Sequence, residues 1–315
     1  MNRKEVDKQL FDNYKYVVAA FYCFSPLKDE NISYLHKELT SISSGHRILG
    51  TVILALEGIN GSICADLKGV KEFLRVLEKQ FNEKIDVKLS PTNKNAFRRF
   101  KIKNKDEIVT MRAGNVDPNE QVGNYVRSCQ WNDLIVDPDT LVIDTRNKYE
   151  ISIGTFHGSL NPNTENFSEF PHWIEKELKP YLAKNPKKRI AMFCTGGIRC
   201  EKATSFLLQK GFKDIYHLQG GILRYLEIVP REESLWEGDC FVFDQRVSLN
   251  HNLLPGKHDL CFACGMPLSQ EDRMNPHYIK GVQCDFCKGS FTDKDRLRFA
   301  ERQKQFDVKS KKITE

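Results

Sequence analysis

The chain has 315 residues, 40% of them hydrophobic and 29% charged, with a formal net charge of +6; this is too long for one ordinary domain and implies two or three. No apolar run approaches the roughly 18 residues of a membrane span, and Met1-Asn2-Arg3-Lys4-Glu5 leads into no signal-peptide core, so a cytoplasmic protein with no membrane partner is expected. There its ten cysteines are expected as thiols, catalytic groups or metal ligands, and the modest positive charge only mildly favours an anionic partner.

Residues 14–112 read as strand-helix-strand-strand-helix-strand. Tyr16 to Phe24 is an apolar, aromatic run stopped by Ser25-Pro26. A helix follows over Asp29 to Ser44, with Ile32, Leu35 and Leu39 along one face. Ile48 to Leu56 is the next strand, Glu57-Gly58-Ile59-Asn60-Gly61 a turn, and Ser62 to Ala65 its hairpin partner. Val70, Phe73, Leu74 and Leu77 mark a helix over Gly69 to Phe81, and Ile85 to Leu89 and Phe97 to Met111 complete the sheet. The order resembles a ferredoxin-like, acylphosphatase-like α+β fold. Its end is basic, with seven Lys/Arg against two Asp/Glu between Lys94 and Arg112. Alternation puts Arg99, Lys101 and Lys103 on one strand face and Phe100 and Ile102 on the other, with Arg98 just ahead. Such a face either tracks a phosphate backbone or is simply solvated.

Residues 113–123 carry turn chemistry and read as a linker, and residues 124–230 as an α/β domain with a parallel sheet. Leu141-Val142-Ile143 is a buried strand ending in Asp144-Thr145-Arg146, with Tyr149-Glu150 and Gly154-Thr155-Phe156-His157-Gly158-Ser159 close behind. A helix over Phe167 to Leu182 aligns Phe170, Trp173, Ile174 and Leu178. The apolar run Ile190 to Phe193 then ends at Cys194, and Thr195-Gly196-Gly197-Ile198-Arg199-Cys200 opens another helix. A helix N-terminus and a cation lower a cysteine pKa, and the glycines let backbone N–H groups converge on an anion. A merely buried cysteine would leave Gly196, Gly197 and Arg199 without a role. Asp214 to Leu218 is a further strand, and a helix after Gly220-Gly221 closes the domain.

Cys194 to Arg199 resembles the active-site loop of the rhodanese superfamily, in which the cysteine acts as a thiolate or carries a persulfide. The arginine five positions after the cysteine fits that short loop; related phosphatases have one residue more. The resemblance implies that Asp144, Arg146 and Glu150 brace loops, and places His157 in a structural turn rather than as a general base. Cys200 is either a resolving thiol for Cys194 or a helix residue facing the core.

Cys261-x-x-Cys264 and Cys284-x-x-Cys287 have the spacing of a zinc knuckle within residues 240–292; four sulfurs leave no open position, so a structural Zn²⁺ is expected, with two disulfides the competing reading. Residues 293–315 form a basic tail, a helix or a loose arm, with eight Lys/Arg against four Asp/Glu from Lys294 on. The order of these parts, with Glu57-Gly58-Ile59-Asn60-Gly61, Cys194 to Lys202 and Phe241-Val242-Phe243-Asp244-Gln245-Arg246, resembles the TrhO family of tRNA uridine hydroxylases. That resemblance implies an oxidoreductase that uses molecular oxygen to make 5-hydroxyuridine at the tRNA wobble position, with no organic cofactor evident and the tRNA anticodon region as partner. Cys194, Arg199 and Cys200 would then be catalytic, with Gly196, Gly197, Arg98, Arg99, Lys101 and Lys103 binding substrate. Persulfide sulfur transfer and an RNA-binding adaptor with an inert rhodanese domain are the alternatives.

Overall fold

Alternating burial builds the first sheet. The computed structural model describes residues 13–82 and 85–314. Strands β1 (Tyr16–Phe24), β2 (Leu49–Ala55), β3 (Gly58–Ala65), β4 (Val87–Thr92) and β5 (Phe100–Asn104) lie in the order β4-β1-β3-β2-β5. The first four are antiparallel neighbours, and β5 runs parallel to β2 at the edge. Helices α1 (Asp29–Gly45) and α2 (Leu67–Phe81) bury Leu35, Leu39, Val70, Phe73 and Leu77 in a core shared with Phe21, Val52 and Ile63 of the sheet. The architecture is the expected acylphosphatase-like one, with the expected last strand at the sheet edge.

Several boundaries differ from the sequence reading, β4 among them, and two have a clear local reason. The hairpin turn is only Leu56-Glu57, since Ala55 already faces Gly58 across the ladder. The last strand ends at Asn104 instead of continuing to Met111. Beyond it the Glu107 carboxylate accepts the backbone N–H of Met111 and Arg112 at 3.0 Å, which folds the chain back on itself.

The second sheet, of β6 (Asn124–Val126), β7 (Thr140–Asp144), β9 (Arg189–Phe193) and β10 (Ile215–Leu218), has the order β6-β10-β9-β7 and is wholly parallel. Parallel strands need crossovers, and the helices among them cover both faces. Hence β9 is apolar throughout: Ile190 and Met192 enter one core with Trp173, Ile174 and Leu207, while Ala191 and Phe193 enter another with Trp131, Phe156 and Tyr225. The covering helices include α3 (Ser128–Ile135), α4 (Ile198–Gln209) and α5 (Gly221–Ile228). The helix predicted over Phe167 to Leu182 is one helical run in pieces, with a wider π turn over Ile174–Leu178 ahead of Pro180. Outside this sheet, β8 (Gly154–Phe156) pairs antiparallel with β11 (Trp236–Gly238).

Residues 113–123 are laid against α4: Val116 is buried, Ser205 donates to the Asp117 carbonyl at 3.3 Å, and the Gly123 N–H donates to Thr204 at 3.1 Å. The two sheets accordingly belong to one unit, which reaches Gln245 and takes in Leu249–Leu254; a second unit comprises Arg246–Ser248 and the chain from Pro255. In the second unit helix α6 (Asp293–Thr314) is tied down by Phe299, which is buried edge-on against Phe291, and by Arg302, whose guanidinium donates to the Phe262 carbonyl. Among the described residues no helix is long and apolar enough to cross a membrane.

Candidate active site

The carboxyl end of β9 delivers Cys194 to the mouth of the parallel sheet, where such folds place their ligands. The Gly197 N–H donates to Cys194 Sγ at 3.1 Å. Gly197 has φ +105°, and a Cβ there would sit 2.6 Å from the Tyr22 hydroxyl oxygen, so any side chain would be strained and would have to displace that hydroxyl. The loop's outward carbonyls are taken by the start of α5: the N–H groups of Ile222 and Leu223 donate to Cys194 and Thr195 at 3.0 and 3.1 Å. Gly221 makes that approach possible, because a Cβ would come within 2.5 Å of the Cys194 oxygen. Space is open around Gly196.

Charge completes the site. Arg199 forms a two-pronged ion pair with Glu150 at 2.8 and 2.9 Å, and Arg146 does the same with Asp144 while also donating to the Gly154 carbonyl. Asp144, Arg146 and Glu150 are fully buried. Burial pushes the Cys194 thiol up, but the Cys200 thiol, the Arg199 charge and the N–H groups of Cys200 and Gly197 outweigh it and leave it at about 6. Cys200 is held protonated by burial and by its bond to Cys194. It faces the core, and its thiol hydrogen-bonds to Cys194. The result is a buried sulfur, 1% exposed, whose ionisation is favoured by the Arg199 guanidinium that Glu150 holds in place.

Sequence reasoning missed the wall that the other sheet contributes. Tyr22 of β1 donates to Glu201 at 2.7 Å, and Tyr125 also bonds to Glu201. Burial raises the Glu201 carboxyl, and the Cys194 charge pushes the same way against Tyr22, Tyr125 and Lys88. Lys88 is 4% exposed, pairs with Asp86 at 2.9 Å and lies 4.8 Å over the Tyr22 ring. The next residue, Lys202, spans the seam between the sheets. Its ammonium donates to Glu57 at 2.8 and 3.0 Å, to Glu107 at 2.6 Å and to the Val109 carbonyl at 3.2 Å. Glu57 also accepts from Ile108 N–H, and Asn60 donates to the Ile108 carbonyl. The signal lay in two quoted motifs, each holding half of the pairing: Glu57 and Asn60 in one, Glu201 and Lys202 in the other.

The remaining candidates lie elsewhere. Lys101 and Lys103 share the face of β5 opposite Phe100 and Ile102, which pack on the core, with Arg99 just ahead of the strand; Lys101 is lowered by partial desolvation and by the charges of Arg99 and Lys103. Arg98 is exposed just ahead of the strand. His157 is 82% exposed, and its ring meets the exposed Glu237 at 3.1 Å. The sulfurs of Cys261, Cys264, Cys284 and Cys287 lie within 4.8 Å of one another, with Cys264 to Cys284 and Cys284 to Cys287 at 3.7 Å. Sulfurs about 2.3 Å from one tetrahedral ion would be about 3.8 Å apart, so this donor set fits a metal held by four thiolates.

The fold and loop define a rhodanese-like domain joined to an acylphosphatase-like one, and family models agree: a UPF0176 acylphosphatase-like domain matches residues 16–108 and a rhodanese-like domain residues 129–227. Two curated relatives extend over nearly the whole chain. A tRNA uridine(34) hydroxylase of Prochlorococcus marinus (strain NATL2A) is 54% identical over 96% of this chain and 95% of its own. One of Synechococcus sp. (strain CC9605) is 51% identical over 98% and 96%. The chain belongs to the tRNA uridine(34) hydroxylase family.

Proposed function

We propose that this protein is an O₂-dependent oxidoreductase of the cytoplasm that hydroxylates C5 of the wobble uridine in the tRNA anticodon. The observation that carries the reading is the buried Cys194 sulfur, which accepts the Gly197 N–H at 3.1 Å and has the Arg199 charge and the Cys200 thiol beside it to favour the thiolate. A thiolate adding to C6 of uracil makes C5 electron-rich, and Arg199 with the loop amides offsets the charge that develops. Dioxygen is the oxidant. One of its atoms becomes the C5 hydroxyl and the other leaves as water, which requires two further electrons. The Cys200 thiol takes one oxygen from the C5 hydroperoxide, leaving the C5 hydroxyl and a Cys200 sulfenic acid. C5 then loses its proton as Cys194 leaves C6, and the freed Cys194 thiolate displaces water from the sulfenic acid to close a disulfide that an external thiol reduces.

The cationic face of β5, with Arg98, Arg99, Lys101 and Lys103, tracks the RNA backbone in this reading, and the loop N–H groups of Gly196 and Gly197 face the substrate. Zn²⁺ is the metal that suits four thiolates; held by Cys261, Cys264, Cys284 and Cys287 it supplies folding energy, with no position left for substrate.

Mass spectrometry of nucleosides from tRNA incubated with protein, O₂ and thiol tests the reaction. The expected product is 5-hydroxyuridine, lost in Cys194→Ser; full hydroxylation by that variant would sink the proposal. Charge reversal at Arg99 and Lys101 is expected to weaken tRNA binding and flatten its salt dependence, and unchanged binding would reject that surface.

A further inference from the structure

Phe243 sits in a motif that the catalytic loop leaves unused. Its ring is 61% exposed, which alone says little, since single apolar residues are common on surfaces. Its surroundings say more. Phe243 stands edge-on to Phe241 with ring centroids 5.2 Å apart at 78°, and Phe241 stands edge-on to Tyr149 at 5.3 Å and 77°. Phe241 is itself buried. The exposed ring is therefore backed by the buried Phe241 ring, which Tyr149 supports in turn. It also meets Arg199, whose guanidinium carbon lies 5.7 Å from the Phe243 centroid while two of its N–H groups pair with Glu150. A rigid aromatic face is thus presented to solvent next to the cation that flanks the thiolate.

Rings so placed suit a flat, unpaired π-system. Single-stranded RNA is recognised largely by stacking splayed bases on aromatic side chains and guanidinium planes. We propose that Phe243 is a stacking platform for an unpaired nucleobase of the RNA loop that carries the target uridine, seating that strand over Cys194. The inference rests on the RNA-substrate reading above and adds a recognition residue to it. It gives the wet side of the loop a base-binding surface to match the dry side built by Tyr22 and Glu201. Stacking tolerates any base, so Phe243 contributes grip and orientation while the choice of uridine is made elsewhere.

The test uses the full-length protein and a synthetic anticodon stem-loop RNA with 2-aminopurine beside the target uridine, whose fluorescence is quenched on stacking. Phe243→Leu keeps apolar bulk against Arg199 but removes the π face, whereas Phe243→Trp keeps it. The expected result is quenching and tight binding with wild type and Phe243→Trp, and binding weaker by on the order of ten-fold without quenching in Phe243→Leu. A role exercised only through Arg199 would instead move the pH midpoint of Cys194 alkylation, so that midpoint is expected to be unchanged in Phe243→Leu; a shifted midpoint with unchanged RNA affinity overturns the platform. Equal affinity and quenching in all three proteins overturns it as well. RNA that binds and stacks without being hydroxylated would count against the reaction proposed above and in favour of the platform, so the two can fail separately.

Discussion

Lys202→Met removes the cation from the seam between the two sheets and keeps most of the side-chain length. The ammonium is 3% exposed, and Glu57 and Glu107 are only 23% and 22% exposed. Its removal leaves two carboxylates facing one another with the Val109 carbonyl unpaired. Breaking a buried ion pair by deleting one partner costs about 3–5 kcal/mol, and the partial exposure of the acids points to the lower end. For a unit of this size, about 3 kcal/mol corresponds to a fall of about 6–12 °C in Tm. The pH dependence gives a second check. Burial raises the Glu107 carboxyl, but Lys202 and the N–H groups of Met111 and Arg112 bring it below its ordinary value. Its contribution is therefore full above the ordinary carboxylate pKa and lost as pH falls through the depressed one. The deficit of Lys202→Met is expected to be largest near neutrality and to narrow in acid. Thermal melts followed by circular dichroism measure it, with Lys202→Met/Glu57→Gln/Glu107→Gln recovering over half of the loss by removing the stranded charges. A single variant melting within about 1 °C of wild type would refute this account of the seam.

Alkylation of Cys194 by iodoacetamide, followed by peptide mass spectrometry, is expected to gain speed as pH rises through about 6; Arg199→Leu removes a charge that favours the thiolate, and its midpoint is expected to move upward. Gly197→Ala meets both φ +105° and the Tyr22 hydroxyl at 2.6 Å. A loss of about 1–3 kcal/mol in chemical denaturation is expected. Tyr22→Phe in the same chain relieves the clash but not the dihedral strain, so recovery is expected to be partial, and no loss in Gly197→Ala would reject the packing argument. Cys284→Ser is expected to reduce bound zinc, measured by mass spectrometry of the native protein, and to lower the melting temperature; unchanged zinc would reject the four-sulfur site.

The loop from Cys194 to Arg199 was legible because its meaning is local: a strand end, two glycines and a cation within a few residues specify a turn at a helix start. The alternation over Phe100 to Lys103 was legible for the same reason, since period two survives whatever the strand pairs with. The strand's end was not, because Glu107 stops it by bonding to N–H groups four and five residues ahead, which no propensity records. The wall opposite Cys194 was hidden more deeply. Tyr22 meets Glu201 across 179 positions and Lys202 meets Glu57 across 145, and each of these residues, taken singly, is ordinary on a strand or helix surface. Only the docking of the two sheets turns them into buried partners.

Arg199, Cys200, Glu201 and Lys202 are consecutive at the start of one helix. Alternate tasks fall to them: ion pair to the loop, thiol to the nucleophile, acceptor for Tyr22, cation for the seam. The rhodanese-like part of this chain is therefore not a portable cassette. Excised at its family boundaries, it would put a charged Glu201 and Lys202 into water one turn from the sulfur and strip the Tyr22 hydroxyl from Gly197. Partner swapping between such domains is thus constrained by the acidity of a thiol as well as by the fit of two surfaces.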